Sequence, residues 1–353
     1  MDLHIAVHRG HATREGRHRV WFETLMGFPE VSPQQVRAQI TLDGATLHSQ
    51  VNGKVWVCGT LETPSLAELR AQVQACGVPG GHLGVREVVA DVQDLHANPE
   101  HAGALFQVAS QFNLLEMASP HVTPEQGVGI YAHDRTQGPA CAVAAGAGTI
   151  YRNYFAPVQG HIGQSVDHQI DCLAGLGVAL DNTAQRLWTM QNGYALATHS
   201  GLTEIAQRLH AASAGERDAL RQLLRIGIQW QTQVTLRDAT HLVSQAYCSA
   251  LPVAYTPHAV RLWAPFAQLI LEAAYEATLC AALVNARRHG NNRVFLTLLG
   301  GGAFGNDIAW IIAAIQRAVH LYQEADLDVV LVSYGSPTPA LQPLLHRTHH
   351  GTL

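Results

Sequence analysis

The most specific chemical signal in this chain is a run of small residues, Gly300-Gly301-Gly302-Ala303-Phe304-Gly305-Asn306-Asp307. An apolar, β-branched run over 293–299 precedes it. Residues 308–322 follow with apolar side chains at helical spacing, among them Ile311, Ile312, Ile315 and Val319. A loop poor in side chains that opens onto a helix N-terminus presents converging backbone N–H groups at a positive dipole end, which suits a phosphate. Asn306 or Asp307 is the natural N-cap. Gly300-x-Gly302-x-x-Gly305 also matches a dinucleotide fingerprint. That match needs an acid at the end of the next strand, whereas 327–332 runs into Ser333-Tyr334-Gly335. An NAD-dependent oxidoreductase is therefore the weaker reading. A tight glycine turn with no ligand is the plain alternative.

Other polar groups arrive where apolar runs end. The strand expected over 105–110 runs into Gln111-Phe112-Asn113-Leu114-Leu115-Glu116, and ligands of open α/β sheets gather at strand C-termini. Asp134, Thr136, Gln137 and Gly138 form a second polar stretch ahead of the small-residue run 140–148. That run is either a tightly packed helix or a place where backbone approaches a ligand. Asp167 and Asp171 fall at i, i+4 in a helix expected over 163–176, a pair that could hold magnesium through water. Acids favoured near a helix N-terminus are the bland alternative. The tail histidines at 346, 349 and 350 are close enough to bind a metal, but a frayed terminus explains them. No G-x-S-x-G elbow, Walker A loop, H-E-x-x-H helix or kinase set is present, and no nucleophile stands out.

The elements that must position these groups read as α/β from residue 83 onward. Strands are expected over 85–92, 105–110, 187–197, 241–255, 293–299 and 327–332, and helices over 202–212, 216–232, 261–288 and 308–322. The pair at about 200–235 reads as a helical insertion. Residues 1–82 read as a β-rich lead-in, with strands over 18–22, 36–42 and 51–57. A capped helix over 65–75 and a glycine-proline break at 77–81 close that segment.

The chain has 353 residues, 47% hydrophobic and 14% charged, which excludes a disordered or coiled-coil protein. Its net charge of −5 and single lysine give no electrostatic basis for nucleic-acid binding. The six cysteines show no C-x-x-C spacing and read as reduced thiols. No signal peptide is visible, and the apolar tract 262–284 carries Glu272 and Glu276, so it reads as a core helix and not a membrane span. A soluble, cytoplasmic protein is expected.

The stretches 85–92 and 104–113 resemble the opening of a macrodomain. The loop Leu299 to Asp307 is similar to the second phosphate loop of microbial poly(ADP-ribose) glycohydrolase-like members of that superfamily. The resemblance covers about 83–335. It implies a three-layer α/β/α mixed sheet and an ADP-ribose ligand. Asp91 would face adenine, Asn113 would hold the distal ribose, and Gly302 to Asn306 would cradle the diphosphate, with Gly300, Gly301 and Asp307 flanking and Phe304 on a ribose. The family's glycine-rich first loop and paired glutamates are not present as such; 111–116 and 136–139 stand nearest. Cleavage at ribose C1″ passes through an oxocarbenium-like state and needs an acid/base, for which Glu116 ranks first and Asp134 second. The plain alternative for each is a loop or surface acid. The expected function is removal of ADP-ribosyl groups from a modified substrate, the alternative a non-catalytic ADP-ribose-binding module. No cofactor is expected beyond the magnesium possibility at Asp167 and Asp171.

Overall fold

The computed structural model describes residues 20–78 and 80–345. The tail histidines, Pro79 and the first residues of the strand expected over 18–22 lie outside them. A seven-stranded mixed sheet forms the core. Its strands are β1 (Thr60–Glu62), β2 (Gly84–Val89), β3 (Leu105–Ala109), β4 (Gly227–Gln233), β5 (Leu242–Cys248), β6 (Arg293–Leu296) and β7 (Asp328–Ser333). They lie in the order β1-β4-β5-β3-β6-β7-β2. The run β5-β3-β6-β7-β2 is parallel throughout, while β4 is antiparallel to both its neighbours. Five strands therefore end at one edge, and residues just beyond their C-termini share one space.

Helices cover both faces. Gln107 of β3 donates through Nε2 to Thr278 Oγ1 of the long helix α6 (Val260–His289) at 2.9 Å. Its neighbour Phe106 stacks on His96 of α2 (Val92–Ala97), ring centroids 3.8 Å apart. Adjacent residues of one strand thus address opposite layers, as the pleat demands. α6 packs with α1 (Leu66–Cys76), α5 (His199–Ala211) and α7 (Ile308–Leu321) on one side. On the other side, α3 (Gln137–Ala144) and α4 (Gly146–Tyr154) are the small-residue run and its continuation. Few bulky side chains intervene, so these two helices sit close on β3 and β4. Among the described residues α6 is the one helix long and apolar enough to cross a membrane; 89% of its apolar window is buried in the core.

Several expectations are corrected. Val20–Met26 and Pro33–Gln39 are helices; Ser32 caps the second through Gln35 N, and Pro33 starts it with a preset φ, so the strand expected over 36–42 is confined to Ile40–Asp43, which joins Thr46–Ser49 and Val55–Val57 in a small antiparallel sheet. The lead-in does not stand apart. Its β1 is an edge strand of the main sheet. Its Phe22, Met26, Val36 and Leu47 share a core with Leu115, Met117, Tyr131 and Ile150. The break at 77–81 is pinned by Gly81 N donating to Glu324 O at 3.0 Å. The helix over 216–232 stops at Arg221, and Gly227–Gln233 is β4, so the helical insertion is confined to 199–221. The single strand over 187–197 is a hairpin, Trp188–Gln191 with Tyr194–Ala197, turning at Asn192-Gly193 with positive φ at both. The helix over 163–176 is reduced to Ala174–Ala179. Asp171 accepts from Leu173 N at 2.8 Å, so the shared helical face with Asp167 that suggested magnesium does not form. Among the described residues no group of three potential metal ligands gathers.

Candidate active site

A cleft lies at the C-terminal edge of the parallel strands. It has an inner cavity of about 240 Å³ and an outer one of about 740 Å³. Asp134, Thr136, Gln137, Pro139 and Thr297 line both, so the two are compartments of one cleft.

One wall of the inner cavity is the loop after β3, and almost every residue of it is tied down. Gln111 Oε1 accepts from Met117 N at 2.6 Å, closing the loop on itself. Phe112 N donates to Gly193 O and its carbonyl accepts from Cys172 N, both at 3.0 Å. Asn113 Oδ1 accepts from Leu115 N and its Nδ2 donates to Gln169. Leu114 takes a left-handed φ of 64° and its carbonyl accepts from Arg152 Nε at 3.1 Å. Glu116 N donates to Tyr131 Oη at 3.2 Å, and Met117 O accepts from Tyr194 Oη at 2.5 Å. The outcome is a fixed carboxyl at the cavity surface.

Glu116 is 4% exposed, and its Oε1 has no hydrogen-bond partner among the described residues. Burial pushes its pKa well above the ordinary carboxylate value; Arg152 opposes that shift and Asp134 adds to it. A buried carboxyl on the lining of a cavity, pushed by burial toward its protonated form, can serve as a proton donor. Gly138 packs directly against it: a Cβ there would stand 1.9 Å from Ala109 O and 2.3 Å from Glu116 Oε2. Only glycine lets α3 start so close to the acid.

The opposite wall is the glycine loop. Gly300 has φ 76°, and a Cβ on it would stand 2.4 Å from Ala250 Cβ. The loop closes through Asn306 N to Gly300 O (2.9 Å) and Gly305 N to Gly302 O (3.0 Å). Among the described residues the amides of Gly300, Gly302, Ala303 and Phe304 have no protein acceptor, and these residues line the inner cavity. Gly301 and Gly305 shape the turn without lining it. Asp307, not Asn306, is the N-cap of α7, accepting from Ala309 N at 2.8 Å. Asn306 is buried and latches the loop to Leu251 O at 2.8 Å. Phe304 packs against Tyr194 and Tyr255 with centroids 5.3 and 5.4 Å away, making an aromatic wall.

Not every expected residue faces the cleft. Asn113 is fully buried and its carboxamide is spent within the fold, so the ribose-binding role expected of it is corrected. Gln111 does line the inner cavity, though its Oε1 is occupied by Met117. Gln137 continues β3 with its side chain, accepting from Ala109 N and donating to Gln107 O. Asp134 Oδ1 accepts from Thr136 N at 2.8 Å. Asp91 caps α2 through Gln93 N and lines the outer cavity, as does the exposed Tyr334 just beyond β7. Tyr131, Arg152, Tyr194 and Tyr255 were not among the expected site residues. Each lies more than ten positions from Glu116 in sequence, so no local spacing pointed to them.

No family model matches the sequence, and no curated protein matches it. Among solved structures, the chain is similar to poly(ADP-ribose) glycohydrolase from Thermomonospora curvata at 12% identity and a TM-score of 0.48, covering 95% of this chain and 99% of that one. The same enzyme with the inhibitor ADP-HPD gives 12% and 0.46, over 95% and 100%. Poly(ADP-ribose) glycohydrolase from Deinococcus radiodurans in complex with ADP-ribose gives 12% and 0.45, over 83% and 94%.

Proposed function

We propose that this chain is an ADP-ribosyl hydrolase, cleaving the bond between ribose C1″ and the group it modifies. One observation carries the reading: a buried, unpartnered carboxyl at Glu116 shares a small cavity with unsatisfied backbone amides of the glycine loop. Fixed N–H donors at a helix N-terminus favour a diphosphate without reorganising. The outer cavity, with Asp91 and Tyr334, has the room and the mixed lining that a nucleobase requires. Glu116 gives its proton to the leaving oxygen as the C1″–O bond breaks. Its carboxylate then takes a proton from the water whose oxygen bonds to C1″. Charge on the oxocarbenium-like ribose develops beside Glu116 and Asp134. Phe304 offers the sugar an apolar face.

Release of ADP-ribose from mono- and poly(ADP-ribosyl)ated protein tests the reading, alongside calorimetry with ADP-ribose, NAD and AMP. Binding of ADP-ribose with release from a conjugate is the expected result. Binding without release from any protein, nucleic-acid or small-molecule conjugate would leave a recognition module. Failure of every adenine nucleotide to bind would remove the ligand class altogether.

A further inference from the structure

Arg152 is a charged side chain that the mechanism above does not use. It lies in α4 with no exposed surface. Its Nε donates to Leu114 O at 3.1 Å and its Nη2 to Thr149 Oγ1 at 3.0 Å. The guanidinium sits 3.6 Å over the Tyr247 ring centre, and Nη1 is buried with no acceptor among the described residues. All of these partners are neutral. Placing a cation in the core on neutral partners costs stability, because its hydration is lost without a counter-charge. Packing alone would be met by an uncharged side chain of the same length. The site must use the charge.

Two placements say what for. Leu114, whose carbonyl Arg152 holds, is the left-handed residue two positions before Glu116, so the guanidinium grips the kink that aims the acid. That grip places the guanidinium on the backbone two residues before Glu116, and its positive charge opposes the effect of burial on the carboxyl. We infer that Arg152 is a positioning residue for Glu116: it locks the 111–117 loop and sets a buried positive charge against the anion Glu116 becomes on giving up its proton. This rests on the reading of Glu116 as the acid.

The other groups around Glu116 cannot take that part. Asp134, on the loop after Tyr131, acts with the opposite sign. Tyr131 itself, Cys141 on α3, Tyr247 on β5 and Tyr194 on the hairpin are buried acids held protonated by desolvation. Among the described residues Arg152 is the one cation acting on the carboxyl. With it gone, burial and Asp134 act unopposed. Glu116 would then hold its proton to higher pH and form its anion less readily.

The test is an infrared titration of the Glu116 carboxylic-acid band, identified as the band absent from Glu116→Gln. It is run without substrate on wild type, Arg152→Met and Arg152→Lys. For Arg152→Met we expect the midpoint to rise by about one unit or more. Turnover of an ADP-ribosylated substrate should fall by about tenfold, with KM little changed. Arg152→Lys should recover most of the midpoint. A folded Arg152→Met with the wild-type midpoint overturns the inference, as does a lysine variant that behaves like methionine. Should Arg152→Met not fold, Thr149→Val loosens the guanidinium by one bond and should move the midpoint the same way by less; no movement overturns the inference. Because the band is read without substrate, an absence of hydrolysis would sink the functional reading and still leave the midpoint to judge the charge pairing.

Discussion

The two walls of the inner cavity are built on opposite terms. In the 110–117 loop nearly every backbone group has a partner, and the Glu116 carboxyl is left over among the described residues. In the 300–306 loop the backbone itself is left over: four cavity-lining amides have no protein acceptor among the described residues. A wall that spends its backbone presents one side chain in one geometry, as proton transfer demands. A wall that keeps its amides free presents several weak donors at once, as binding a delocalised anion demands. Chemistry and affinity are thus separable here, and substitutions should separate them.

The largest effect is expected from Glu116→Gln, which keeps shape and removes the transferable proton. Turnover should fall by about 10²-fold or more while ADP-ribose affinity stays nearly intact. Normal turnover in this variant would move the acid elsewhere, with Asp134 next to be changed. On the other wall, a Cβ at Gly302 meets nothing within 4 Å, so Gly302→Glu should fold. Its carboxylate would face the diphosphate, and we expect affinity to drop by about 10²-fold, since like charges brought together cost several kcal/mol. Calorimetry showing wild-type binding would refute the cradle.

A smaller effect is expected from Asn306→Ala. It removes the buried bond to Leu251 O and should cost about 1–2 kcal/mol in denaturant unfolding, with affinity weakened because the amides lose their fixed arrangement. Unchanged stability together with unchanged affinity would show that the latch is idle. The smallest and most diagnostic effect is on pH. Glu116 has a folded pKa raised above its unfolded value, so its contribution to stability is fully present below pH 4.5 and is lost as pH rises through the raised value. Glu116→Gln should therefore gain stability over wild type as pH rises, and match it at low pH. Activity should decline over the same rising limb as the acid loses its proton. A stability difference independent of pH would contradict the burial of an ionisable acid.

Much of the glycine-loop wall's structure is legible in sequence. A continuous apolar run, a glycine loop and a helical period fall within 30 residues, so strand, loop and helix were each set by neighbours in the chain. Glu116 could be singled out because it follows an apolar run. What holds it could not, since Tyr131, Arg152 and Tyr194 reach it only through the tertiary fold. Asn113 shows the converse error. Its place beside Gln111 suggested a ligand contact, but partners on the 164–169 loop consume it. Two elements that differ from expectation do carry local cues: Asn192-Gly193 is a hairpin turn, and Ile228, Trp230 and Thr232 alternate with glutamines as a strand does. The Pro33 helix was hidden because its buried face is one residue, Val36.

The edge strand Thr60–Glu62 carries a practical consequence. It covers β4, whose other side pairs with β5, and the segment before it backs the loop that holds Glu116. A chain begun at residue 83, the boundary the glycine-proline break suggests, would leave β4 with an open row of hydrogen-bonding groups. Such a row is a template for recruiting a strand from another copy. Shortened versions of this protein should therefore precipitate before they lose the sheet, and a soluble truncation would have to begin ahead of the first described helix.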